Sequence, residues 1–313
     1  MIMIKKYLIL LFLYYEYVNA FNFNTLQMKT DNKIVNNFSP IHNNKLKYYY
    51  KLTRPSSLVY EFALPVTGSY LATKNIGVLV DPNVILIGLL SVLIGSNSMI
   101  INDFYDYIDG TDSSKTDKIL NKNYLKPMEV LHFSLYMSIL TFSLINLISN
   151  LNIRLILSNS VILSYLYTPF FKKLTFLKNL IVSYIICNTI VVGSLIVNGN
   201  IYNVLPCIAY LFNFIMWQEI ILDINDLEGD KENNIKTIAV KYGYDKANKI
   251  AFGFLLIGTL LPYGFSLNFI LLQLPLILLH LRAIQKNKIL NKIVISLSKF
   301  IMLLSGLYMS ILI

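Results

Sequence analysis

Eleven of the seventeen acidic residues in this 313-residue chain fall into two short windows, Asp103–Asp117 and Glu219–Glu232. The first window carries Asp103, Asp106, Asp109, Asp112 and Asp117, with Asn102 four residues before Asp106, so on a helix Asn102, Asp103 and Asp106 line one face. The second spaces Glu219, Asp223, Asp226 and Asp230 by four, three and four, again the repeat of a single helical face. Like carboxylates at that spacing repel one another, and beside apolar segments the cost is relieved when divalent cations sit between them. Magnesium suits such a set because it takes hard oxygen ligands and is commonly held by one or two carboxylates together with the phosphates of a substrate. Lys172, Lys173 and Lys178 supply positive charge for the rest of a diphosphate. A solvated acidic loop would account for either window alone, but not for two of them at helical spacing on one face. The two cysteines, Cys187 and Cys207, and the histidines His42, His132 and His280 form neither a C-x-x-C nor an H-E-x-x-H spacing. No zinc site or disulfide framework is expected, and both cysteines read as buried small hydrophobes.

The elements that must position these residues are membrane helices. The chain is 55% hydrophobic and 14% charged, with a mean hydropathy of +0.57. That is more apolar surface than a soluble globule of this size can bury. Apolar stretches of spanning length alternate with short polar breaks and predict nine helices, at about 57–73, 83–101, 130–149, 153–168, 180–198, 203–222, 248–265, 267–281 and 293–312. None shows the alternation of a barrel strand, so the expected fold is an all-α, multi-spanning membrane helix bundle. Sixteen Lys or Arg fall in the loops after the even-numbered helices and two, Lys74 and Arg154, on the other face. This asymmetry orients the bundle with both acidic windows on the inner side and absorbs the net charge of +10 into topology, so no nucleic-acid partner is needed. Upstream, residues 1–20 combine Lys5 and Lys6, an apolar run and Val18-Asn19-Ala20, the pattern of a signal peptide. Residues 21–52 are rich in Asn and Lys, with no sustained apolar period, and read as a transit-like segment before a membrane domain at 53–313. The two-part leader is similar to those that address proteins to a relict plastid; a membrane anchor or a mitochondrial presequence is the alternative, with the mitochondrial inner membrane or the endoplasmic reticulum as destination. Glu61, a charge inside the first span, marks either a substrate contact or an interfacial position.

Asn102-Asp103-Phe104-Tyr105-Asp106, continuing to Gly110 and Asp112, resembles the first aspartate-rich motif of the UbiA superfamily of intramembrane aromatic prenyltransferases. Asp223-Ile-Asn-Asp226-Leu-Glu-Gly-Asp230, followed by Lys236-Thr237, is similar to the second. Thr53-Arg54-Pro55 before the first span and Tyr165-Leu-Tyr167-Thr-Pro169-Phe-Phe-Lys172-Lys173 with Asn179 agree as weaker signatures. The resemblance implies Mg²⁺ held by Asn102, Asp103, Asp106, Asp226 and Asp230, and a diphosphate contacted by Arg54, Lys172, Lys173, Lys178 and Lys236. It also implies an isoprenoid diphosphate and an aromatic acceptor as substrates at the inner face of a lipid bilayer, with the prenyl tail between helices. Tyr105, Tyr107, Tyr165 and Tyr167 are candidates to face an allylic cation. Asp106 belongs to the catalytic centre, and Asp112 or Asp223 would help to deprotonate the acceptor. The first motif, with Gly110 two residues before Asp112, is similar to prenyltransferases acting on 1,4-dihydroxy-2-naphthoate in prenylquinone synthesis, which makes that acceptor the expectation. The second motif is more like the homogentisate, chlorophyll synthase and glycerophosphate-ether groups. Asn234 stands where the family usually has glycine. A secondary transporter, the rival class, would place acids near span centres around a midplane site, whereas here they gather at one end of two helices. A calcium-binding scaffold fails because Asp103–Asp112 lacks the loop pattern with its terminal Glu.

Overall fold

The computed structural model describes residues 45–111, 115–261, 267–283 and 288–312; the signal peptide, most of the transit-like segment and Asp112 lie outside them. Every regular element among the described residues is helical, and Leu46–Ile313 forms one compact unit. The order is α1 (Lys45–Leu52), α2 (Pro55–Thr73), α3 (Pro82–Ile108), α4 (Pro127–Ile145), α5 (Leu151–Leu166), α6 (Leu177–Ile196), α7 (Leu205–Asn225), α8 (Leu227–Glu232), α9 (Ile238–Tyr242), α10 (Tyr244–Leu260), α11 (Leu267–Ala283) and α12 (Lys288–Leu312). Among the described residues, four stretches are long and apolar enough to cross a membrane, namely α3, α4, α6 and Ile201–Asn225, the last being α7 with the short turn before it. Shorter apolar helices cover Leu267–Arg282 and Ile293–Gly306. The protein is an integral membrane protein.

Helix starts follow local chemistry. Pro82 opens α3 behind Asp81, whose carboxylate accepts from the Asn83 N–H at 2.8 Å, and the Asn150 side chain caps α5 by accepting from Asn152 N at 2.9 Å. The helix α1 departs from expectation, because it lies inside the segment expected to hold no folded element. Its apolar side has a partner that the sequence period does not show: Tyr48 stacks on Tyr124 at 4.3 Å, Tyr49 packs on Phe133 at 4.9 Å, and Leu52 is buried.

The helices α2, α3, α6 and α7 form the centre, with α4 and α5 against one side and α10, α11 and α12 against the other. Phe104, Phe214 and Trp217 are fully buried there, while Val59, Tyr136, Leu155, Leu271 and Phe300 face outward, as a lipid-facing surface requires. The backbones of α2 and α6 approach each other closely at two glycines. A Cβ at Gly193 would lie 2.0 Å from the Pro65 carbonyl oxygen and one at Gly68 would lie 2.3 Å from the Ile190 carbonyl oxygen, and Ser69 Oγ donates to the Gly193 carbonyl at 2.7 Å across the same seam. Because the obstructing atoms are backbone, Gly193→Ala is expected to force the helices apart and cost about 1–3 kcal/mol or more. A fall in the unfolding temperature of the detergent-solubilised protein measures it, and an unchanged temperature would contradict the packing described. Both cysteines are free and buried.

Candidate active site

The first acidic window is built on the last turns of α3, which runs seven residues past the expected end of its span. Asn102 and Asp106 share a face, as their spacing predicts, and Asn102 Nδ2 donates to Asp106 Oδ2 at 2.8 Å. Asp103 departs from that face. One residue on, it is rotated by about 100°, and its Oδ1 accepts from Arg54 Nη2 at 3.1 Å and Lys118 Nζ at 2.7 Å. Arg54 itself caps α2 with a left-handed backbone, φ 50°, just before Pro55, a strained conformation of the kind that gathers at functional sites.

Against Asn102 and Asp106 stands the turn that ends α5. Pro169 cannot donate to the helical ladder, and the chain widens into a single π turn, Tyr167–Phe171, closed by Lys172 N–H to the Tyr167 carbonyl at 2.7 Å. The wide turn aims two side chains back at α3. Thr168 Oγ1 donates to Asn102 Oδ1 at 3.1 Å, and Lys172 Nζ pairs with Asp106 and reaches Asn102 Oδ1 at 3.4 Å. Lys173 turns the other way, to Asp109 at 3.1 Å, in a pair half open to solvent. Tyr165, one turn earlier, is engaged elsewhere. Its hydroxyl is enclosed by Ser134 at 2.7 Å and Ser138 at 2.6 Å, with Asn97 at 3.4 Å, a satisfied polar knot joining α3, α4 and α5. Tyr105 is buried and packs edge-on to Phe104.

The second window is not one helical face. The helix α7 stops at Asn225, the chain bends at Asp226, and α8 restarts at Leu227, so Glu219 and Asp223 belong to one helix and Asp230 to another. Asp223 is buried at the start of α6, where Lys178 pairs with it and Asn179 Nδ2 donates to its Oδ2 at 3.2 Å. Asp226 is exposed and Asp230 half-buried, and neither side chain makes a hydrogen bond or ion pair with the described residues. Asn234 adopts φ 56°, a left-handed conformation that asparagine tolerates better than most residues, which explains how it can stand at a glycine position. Lys236 is exposed, and its carbonyl accepts from Thr175 Oγ1 at 2.6 Å, tying the loop before α6 to the chain after α8.

The two windows meet around the π turn. Tyr167 lies within electrostatic reach of Lys178, Glu219 and Asp223 and also of Asp106, while Lys172, paired with Asp106, acts on Asp230 as well. Burial raises the Asp230 carboxyl to about 6, Asp223 and Asp226 push it the same way, and Lys178 and Lys172 pull against them. Among the described residues, no three His, Cys, Asp or Glu side chains converge into a ready-made metal cage. The donor set consists of carboxylate and amide oxygens with neither imidazole nor thiolate. It fits Mg²⁺, which completes its shell with water and substrate oxygens, and does not fit zinc. Sequence reasoning missed Lys118 and Thr168 as members of this polar cluster, and it named Asp109 in the first window without giving it a partner. Lys118 sits in a loop of many lysines, and nothing in its spacing distinguishes it. An apolar cavity of about 440 Å³ lies among α2, α6, α7 and α12, lined by Tyr60, Leu64, Tyr70, Ile190, Leu211 and Met309.

The family model for UbiA prenyltransferases matches residues 62–303. A digeranylgeranylglyceryl phosphate synthase from Methanococcus aeolicus is 32% identical over 228 residues, covering 71% of this chain and 78% of the relative. One from Sulfurisphaera tokodaii is 27% identical over 233 residues, covering 72% and 82%. Among solved structures, a digeranylgeranylglyceryl phosphate synthase superposes with a TM-score of 0.65 at 23% identity, covering 86% of this chain and 98% of that one. A UbiA homologue from Archaeoglobus fulgidus bound to DMAPP and Mg²⁺ gives 0.63 at 17% identity, covering 83% and 97%. These likenesses show the fold, and the family match over most of the chain carries the assignment: this membrane protein belongs to the UbiA prenyltransferase family.

Proposed function

We propose that this prenyltransferase moves an isoprenoid chain from its diphosphate to a hydroxyl of a glycerophosphate ether, with Mg²⁺ at the inner mouth of a nine-crossing bundle. The observation that carries the reading is that both acidic motifs and their lysines share one end of the bundle, with Lys172 paired with Asp106 of the first motif and within electrostatic reach of Asp230 of the second. Asn102, Asp103, Asp106, Asp226 and Asp230 would hold Mg²⁺, which when bound supplies Lewis-acid stabilisation of the leaving diphosphate. The lysines do complementary work. Lys172 and Lys178, preorganised by Asp106 and Asp223, place positive charge where the diphosphate gains negative charge as its bond to the allylic carbon stretches. Arg54, Lys173 and Lys236 ring the same mouth at more exposed positions. Tyr105 and Tyr167 offer aromatic faces to the allylic cation. The apolar cavity among α2, α6, α7 and α12 is suited to a hydrocarbon tail.

Three considerations favour the glycerophosphate ether over the dihydroxynaphthoate expected from Gly110. The relatives' name describes a glyceryl phosphate carrying two geranylgeranyl groups. An acceptor with its own phosphate gives the more exposed cations of the mouth, Arg54, Lys173 and Lys236, an anion to meet. Gly110 itself sits at φ 76°, where the chain leaves α3, so glycine is favoured there by the backbone turn, a reason independent of the acceptor. Residues 1–52 are proposed as a plastid address, with a fluorescent fusion of that segment as the test.

Purified protein in detergent, given radiolabelled geranylgeranyl diphosphate and a panel of geranylgeranylglyceryl phosphate, 1,4-dihydroxy-2-naphthoate and homogentisate, tests the function directly. Labelled ether product is expected with the first. Transfer to an aromatic acceptor alone would overturn the acceptor assignment. A pH series adds a second check. Asp230 carries its proton below about 6, and a cation that it ligates must displace that proton. The Mg²⁺ concentration for half-maximal rate is therefore expected to rise as pH falls through about 6, and a requirement independent of pH between 5 and 7, roughly one unit either side of that value, would remove Asp230 from the ligand set.

A further inference from the structure

Glu61 is a carboxylate that the metal reading leaves unused. It lies in α2, two turns inward from Arg54 at the mouth. Its Oε1 accepts from Ser57 Oγ at 2.9 Å, and its Oε2 is buried and meets no donor among the described residues. The same hydroxyl lies 3.0 Å from the Arg54 carbonyl, so its one proton is shared between the two acceptors, and the Arg54 guanidinium holds Asp103, so a polar path runs from the first motif inward to Glu61. Across from it α3 carries Gly95. A Cβ there would fall 2.5 Å from the carboxyl carbon of Glu61 and 2.7 and 2.8 Å from its oxygens, so the missing side chain at position 95 makes the space that the carboxylate occupies. Gly95 lies seven residues before Asn102, two helical turns or about 10 Å deeper on the same face of α3. Pro65 takes away the helical donor to the Glu61 carbonyl, which loosens α2 at this residue.

A carboxylate inside an apolar span with one oxygen unanswered is costly to maintain. A ligand hydroxyl donating to it would complete its hydrogen bonding. Of the other acids near the mouth, Asp103 is engaged by Arg54 and Lys118, Asp106 by Lys172, and Asp223 by Lys178 and Asn179, while Asp226 and Asp230 belong to the proposed metal set.

We infer that Glu61 is the proton acceptor for the acceptor hydroxyl, with Ser57 orienting it, and this rests on the transferase reading above. In the step, the bond between the allylic carbon and the diphosphate oxygen breaks and its electron pair leaves with the diphosphate. The acceptor hydroxyl oxygen forms the new carbon–oxygen bond, and its proton passes to the Glu61 carboxylate. Glu61 then releases that proton to solvent at the mouth before the next turnover.

The test measures ether product and diphosphate release side by side in the purified full-length protein, with geranylgeranyl diphosphate and geranylgeranylglyceryl phosphate as probes. In Glu61→Gln, product formation is expected to fall about 10²- to 10⁴-fold, while diphosphate release falls by less than about tenfold because the site that ionises the donor is separate. Formate is expected to restore part of the transfer in Glu61→Ala, and Gly95→Ala, which crowds the carboxylate without removing its charge, to lose transfer in the same uncoupled way. Normal product formation in Glu61→Gln would overturn the assignment. So would a parallel loss of product and diphosphate release with no rescue by formate, which would make Glu61 structural. A wild-type protein that transfers to none of the acceptors would instead defeat the functional reading on which the inference rests.

Discussion

Asp106→Ala is expected to abolish prenyl transfer, lowering kcat/KM at least about 10³-fold, because several kcal/mol of charge stabilisation at the leaving group depend on this one carboxylate. Asp106 is buried, accepts from Asn102 and pairs with Lys172, so its removal takes away a candidate Mg²⁺ ligand and also releases the lysine that lies within electrostatic reach of Asp230. Asp106→Asn separates these effects. The amide keeps the shape and can still accept from Lys172, but it lacks the charge to hold a cation. Its unfolding temperature is expected to stay near wild type while its activity falls with that of Asp106→Ala. Lys246→Ala, at an exposed position of α10 outside both acidic windows, is the control, and its rate is expected to remain within about fivefold of wild type. Full activity in Asp106→Asn would remove the first motif from the metal site.

Lys178→Met is expected to be the most destabilising single change at the site, by about 3–5 kcal/mol, because it leaves the buried carboxylate of Asp223 without its counter-charge. Asn179 donates one hydrogen bond to Asp223 but brings no charge. Replacing the pair together, Lys178→Met with Asp223→Leu, removes both ions from the interior and is expected to recover most of the lost stability, since a buried pair exchanged for apolar side chains is often neutral. Activity is expected to stay lost in the double variant, because positive charge at the diphosphate has gone with the lysine. Unfolding in detergent and product formation, measured on the same three variants, separate the two roles. An inactive, stable double variant supports a pair kept for function; a fully active one would show that Lys178 and Asp223 serve the fold alone.

The composition was enough to determine that the chain is a helical membrane bundle, and the two acidic windows were enough to put the candidate chemistry at one end of two helices. Apolar runs of spanning length have few other solutions in lipid, and lysines confined to alternate loops place both windows on one side. Helical spacing also predicts the pairing of Asn102 with Asp106, because residues four apart on one helix are neighbours whatever surrounds them. The same rule failed at Asp223 and Asp230, where the bend at Asp226 breaks the helix, and it did not show that Asp103, one residue round the helix from Asn102, would meet Arg54, 49 residues away, and Lys118. Likewise, periodicity did not announce α1, whose aromatic partners lie in a distant loop and in α4. Only the tertiary structure decided which lysine meets which aspartate, that the π turn at Pro169 aims Lys172 at α3, and that the glycine at position 95 makes room for the Glu61 carboxylate. Local spacing acts through a few bonds of a single helix, whereas these contacts depend on how whole helices pack, which no short stretch of sequence encodes by itself.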